Sequence, residues 1–148
     1  MPTDSKPNAS TNGQPPSAQF EVSLPADISA ISPVVAWVMR LVSQLDYVAG
    51  KEFEIEMALR EALANAVIHG CNSDSAKKIE CSVTGSRENG VLIVVRDPGP
   101  GFDPSKLPSP TDDSNLHLEH GRGILLINKL MDEVKHEQSG TVIRMRKF

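Results

Sequence analysis

Residues 51–70 read Lys51-Glu-Phe-Glu-Ile-Glu-Met-Ala-Leu-Arg-Glu-Ala-Leu-Ala-Asn-Ala-Val-Ile-His-Gly70. The stretch is rich in Glu, Ala, Leu and Met and holds neither glycine nor proline before Gly70. Side chains of this kind lose little freedom in a helix, so the spacing predicts one over 51–69, with Gly70 as its C-terminal stop. Inside it, Glu61, Asn65 and His69 recur at every fourth position. That step sets three polar side chains along one slowly rotating stripe. Their neighbours are Ala62, Leu63, Ala64, Ala66, Val67 and Ile68. A carboxylate and an amide buried there without partners would cost roughly 1–3 kcal/mol. The partner is either a ligand or metal, or else solvent and a neighbouring loop.

Outward from this helix the pattern alternates between strands and helices. Phe20, Val22 and Leu24 alternate with polar residues, a half-buried strand ended by Pro25. Ser32 reads as an N-cap and Pro33 as the first helical residue of a segment reaching Leu45, with Val34, Val38, Leu41 and Leu45 on one side. After the central helix, 78–84 alternates again, with Ile79, Cys81 and Val83 on one face. Residues 87–90 (Arg-Glu-Asn-Gly) read as a hairpin turn, and the apolar run 91–95 as a strand covered on both faces. Residues 97–123 break the pattern with five prolines and four glycines. A loop of this length inside a compact domain is usually functional or disordered. A helix over 124–131 and a hairpin of 134–138 and 141–146 through Ser139-Gly140 complete the chain, with Arg144, Arg146 and Lys147 as a solvated strand end. The order predicts an α/β fold: an α+β two-layer sandwich with a mixed, mostly antiparallel sheet and helices on one face.

With 148 residues, 39% hydrophobic and 23% charged, the chain suits one domain, expected over 19–148. Residues 1–18 hold Pro2, Pro7, Pro15 and Pro16 among small polar residues and read as a disordered tail. No apolar run is long enough to span a membrane, and the first residues carry no apolar signal segment. Cys71 and Cys81 cannot build a disulfide framework, so a cytoplasmic setting is expected. A net charge of −4 disfavours broad electrostatic binding to nucleic acid.

Two more motifs carry chemistry. Asp97-Pro98-Gly99-Pro100-Gly101-Phe102 follows the apolar strand. A carboxylate at a strand end can accept a hydrogen bond from an exocyclic amine, and the glycines let a ligand approach the backbone. Gly121-Arg122-Gly123 opens the later helix, whose free N-terminal amides favour phosphate. The surroundings fit neither a P-loop nor a dinucleotide-binding fingerprint.

Taken in order, E-x3-N-x3-H on a helix, a strand, D-P-G-P-G, a long loop and G-R-G on a helix resemble the GHKL, or Bergerat-fold, ATP-binding superfamily. Residues 61–70 and 123–134 are similar to the anti-sigma-factor serine/threonine kinases of bacteria. The resemblance implies that Asn65 holds the Mg²⁺ that bridges the phosphates. It implies that Glu61 activates the acceptor hydroxyl and that Asp97 bonds the adenine amino group. Gly99, Gly101, Gly121 and Gly123 would shape the pocket and the ends of an ATP lid, and Thr141 would help hold adenine. The ligands implied are ATP or ADP with Mg²⁺. The partners implied are an anti-sigma-factor antagonist protein, which is phosphorylated, and a sigma factor, which is sequestered; members of the family often form homodimers. Related kinases can carry an arginine just before the second glycine motif, where this chain has Leu118, Glu119 and His120. Arg122 is the residue available to replace it against the γ-phosphate. That departure leaves open a second reading, a nucleotide-binding partner-switching module that transfers no phosphate.

Overall fold

The computed structural model describes residues 18–99 and 119–148, with residues 18 and 119–122 described by their backbone alone. The expected tail up to Ser17, Gly101, and residues 102–118 of the lid expected over 102–120 lie outside the described residues. Strand β1 (Ala18–Pro25) buries Phe20, Val22 and Leu24 on one face, as its alternation predicts. Helix α1 (Ile31–Val42) packs on β1, where the Phe20 and Trp37 rings meet edge to face.

The start of α1 differs from expectation. The Asp27 carboxylate accepts from the Ser29 amide at 2.9 Å and caps a short 3₁₀ turn, Ile28–Ala30, that runs directly into α1. Ser32 is therefore inside the helix, and its hydroxyl accepts from Arg60 at 3.2 Å. Pro33 still falls in the first turn, where backbone N–H groups have no intrahelical partner to lose. The helix stops at Val42, while Leu45 enters the core from the connector; its helical spacing reflects shared burial rather than shared helix.

Helix α2 (Glu52–Asn65) lies between α1 and the later helix α3 (Glu119–Leu130). Its last turn widens into a π turn, Ala66–Gly70, closed by the Cys71 amide donating to the Ala66 carbonyl at 2.9 Å. Gly70 is not the left-handed stop that the sequence predicts. The chain reverses two residues later, where Asn72 and Ser73 have φ of 50° and 56°.

Strands β2 (Lys78–Ser86) and β3 (Gly90–Arg96) form the expected hairpin, and Gly90 supplies the positive φ of its turn at 68°. Strands β4 (Glu133–Glu137) and β5 (Val142–Lys147) form the second hairpin. The sheet order is β1-β2-β3-β5-β4. Every strand pairing among the described residues is antiparallel, so the sheet is not mixed. The reason is the insertion of β5: it separates β3 from β4, which are consecutive among the described strands, and pairs antiparallel with both.

The two layers are tied at the end of β5. Lys147 is only 8% exposed, not the solvated residue that the sequence predicts. Its ammonium donates to the Leu130 carbonyl at 2.6 Å and pairs with Glu54 of α2. Arg144 and Arg146 instead pair across the hairpin with Glu137 and Glu133, at 2.9 and 3.2 Å.

Candidate functional site

A cavity of about 240 Å³ opens between the end of α2 and the sheet. Asn65, His69 and Gly70 form one wall. Asp97, just past β3, and Thr141, just before β5, form another. The floor follows from strand register, which aligns Val95, Ile143 and His136 in one row across β3, β5 and β4. The floor is thus apolar for two strands and ends on an imidazole.

Asp97 is held from two sides. Its amide donates to the Thr141 carbonyl at 2.9 Å. Its Oδ1 accepts from the Gly99 amide at 2.8 Å. Burial raises the Asp97 carboxyl above its ordinary value, and the Gly99 hydrogen bond offsets part of the rise. Burial pushes the His136 imidazole below its ordinary value, so it faces the cavity neutral near pH 7. The Thr141 hydroxyl donates to the Gln138 carbonyl at 2.8 Å, which anchors the turn that carries it.

Glu61 does not line the cavity; it stands one turn further back, where α2 crosses α3. A β-carbon on Gly123 would lie 3.0 Å from Glu61 Oε2 and 3.1 Å from Asn65 Nδ2. The helices meet that closely because position 123 has no side chain. The sequence places Gly121, Arg122 and Gly123 ahead of the helix, but α3 begins at Glu119 and contains all three. Gly123 therefore lies within α3, against the Glu61 and Asn65 side chains of α2, rather than ahead of the helix. The Arg122 side chain lies outside what is described.

The structure thus brings Asn65, Asp97 and Thr141 to one cavity, with Gly99 against Gly70 at its rim and Glu61 and Gly123 behind it. Sequence reasoning missed His136 and Ile143. The alternation of Val134 and His136, both partly buried, with the exposed Glu133 and Lys135 carried the signal for His136.

A layout in which a helix end, a strand end and a turn converge on one small cavity is a ligand-binding domain of the α/β class. The chain belongs to the family of histidine kinase-like ATPase domains, whose model matches residues 24–147. It is 32% identical over 116 residues to an anti-sigma F factor of Priestia megaterium, covering 74% of this chain and 78% of that protein. It is 34% identical over 116 residues to an anti-sigma F factor of Geobacillus stearothermophilus, with the same coverage. A serine-protein kinase RsbW of Oceanobacillus iheyensis is 32% identical over 102 residues, 64% of each chain. The nucleotide of an ATPase domain is therefore the ligand class of this fold.

Proposed function

We propose that the chain is an ATP-dependent protein serine/threonine kinase that acts as an anti-sigma regulatory factor. In this reading it phosphorylates an anti-sigma-factor antagonist and sequesters a sigma factor. The observation that carries the chemistry is the convergence of Asn65, Asp97 and Thr141 on one cavity, with Glu61 one helical turn from Asn65.

The cavity volume is below the roughly 300–1,000 Å³ of a whole small-ligand site. It suits the base end of a nucleotide, with the Asp97 carboxylate as acceptor for the adenine amine. The half-buried setting strengthens that hydrogen bond relative to water. Asn65 supplies an amide oxygen of the kind Mg²⁺ accepts beside phosphates and waters. When bound, the cation would neutralise charge on the transferred phosphoryl group. Glu61 accepts the proton of the acceptor serine hydroxyl as the serine oxygen bonds the γ-phosphorus. The bond from γ-phosphorus to the β,γ-bridging oxygen breaks, and ADP leaves. A general base of this kind contributes about 10²–10⁴-fold.

The test is incubation with γ-labelled ATP, Mg²⁺ and the cognate antagonist. Label on an antagonist serine or threonine is expected, together with capture of a sigma factor by the chain when the antagonist is absent. Nucleotide binding and sigma capture without transfer would instead establish the partner-switching module.

A further inference from the structure

A glycine at a helix end is ordinarily there for a left-handed backbone. Among the described residues the glycines with positive φ are Gly50, Gly90 and Gly140, so Gly70 has another reason to be glycine. That reason is Asp97. A β-carbon on Gly70 would stand 2.5 Å from Asp97 Cγ and 2.6 and 2.7 Å from its two oxygens. The fit continues on the far side of the carboxylate. Gly99, whose amide donates to Asp97 Oδ1 at 2.8 Å, is pressed so close to the π turn that its own β-carbon would stand 1.9 Å from the Gly70 carbonyl oxygen. The Asp97 carboxylate is thus seated in a slot between the tip of the π turn and the 97–99 turn.

We infer that Gly70 is a positioning residue for nucleobase recognition: its missing side chain leaves the space that fixes where the Asp97 carboxylate points. The inference rests on the ATP reading of the cavity and adds to it a residue outside the expected base contacts. An alanine at 70 must displace something, and the nearest atoms belong to a short side chain that can rotate. The substitution should therefore turn the carboxylate away from the base while the helix stays in place.

The experiment compares two nucleotides by calorimetry in Mg²⁺: ATP, and purine riboside triphosphate, which differs by lacking the exocyclic amine. The unaltered chain should prefer ATP by about tenfold or more, the worth of a hydrogen bond to a charged group. In Gly70→Ala the preference should fall toward one through weaker ATP binding, with the analogue changed by less than about threefold. Thermal melts of the same samples establish that the variant folds. Retention of the full preference, or an equal loss for both nucleotides, overturns the inference. An unaltered chain that binds ATP without preference overturns it while leaving the ATP reading standing. One that binds neither nucleotide overturns both. A second measurement needs no variant. Exchange of the Cys71 amide hydrogen, which closes the π turn, should be slower in the ATP complex than in the analogue complex, because base-bound Asp97 pins the tip. Equal protection in both complexes overturns the inference.

Discussion

The Asp97 amide donates to the Thr141 carbonyl over 2.9 Å, which fastens the end of β3 to the entry of β5 while leaving the Asp97 side chain free to face the cavity. Backbone and side chain therefore have separate tasks at this position. Asp97→Asn should keep the backbone bond, and its Oδ1 can still accept from Gly99. What changes is that an acceptor-only carboxylate becomes half donor. ATP affinity should fall by about tenfold or more. Titration calorimetry checks this, and an unchanged Kd would place the adenine elsewhere.

The same substitution has a stability consequence of opposite sign. Burial raises the Asp97 carboxyl, so its native value exceeds its unfolded value. The stability it contributes is full below the unfolded value and is lost as pH rises through the native one. At neutral pH the empty protein therefore holds an ionised carboxylate at a cost. Asp97→Asn should melt higher than the unaltered chain at pH 7, and the gap should close as pH falls toward 4. A gap that widens on acidification would contradict the assignment.

Glu61 and Asn65 should separate chemistry from binding. Glu61 lies behind the cavity and Asn65 on its wall. Glu61→Ala should leave the ATP Kd within about threefold and reduce phosphoryl transfer by about 10²-fold or more, since a base acts chiefly in the transition state. Asn65→Ala should weaken Mg²⁺-dependent ATP binding itself. Equal loss of affinity in the two variants would rule out this division.

Gly123→Ala tests the helix crossing. Alanine is favoured over glycine in a helix by about 1 kcal/mol. Here its methyl group would meet the ends of Glu61 and Asn65 at 3.0–3.2 Å. Those ends are flexible, so the melting temperature should change little. Transfer should fall by about tenfold or more, because small misplacements of reacting groups are costly. Steady-state kinetics beside a thermal melt separate the two effects.

The cysteines should be inert in the folded chain. Burial pushes the Cys81 thiol up to about 12 and also raises Cys71, and both are buried. A thiol-labelling reagent at pH 8 should modify neither until the protein unfolds. Rapid labelling of the native protein would show that the core opens locally.

What the sequence revealed is what short-range periodicity can carry. The helix over 51–69, the alternation of β1 and β2 and the two hairpin turns depend on neighbours a few residues away. The close packing at Gly70 and Gly123 left no trace in the sequence because a missing side chain makes no pattern; only the neighbour, Asp97 in one case and Glu61 in the other, shows it. His69 was visible as part of a spacing, whereas His136 became part of the site through pairing with Ile143 in another strand. The insertion of β5 between β3 and β4 was invisible for the same reason: no local rule decides which strands become neighbours.

That insertion has a kinetic side. β3 and β5 pair directly, although the loop, α3 and β4 intervene in the chain. Bringing such distant segments together costs chain entropy before any contact compensates it. The cavity draws residues from both sides of this closure, so it does not exist until the sheet has zipped. A nucleotide that binds there arrives after the barrier has been crossed. It should slow unfolding and leave the rate of folding almost untouched, a latch on the finished sheet rather than a template for it.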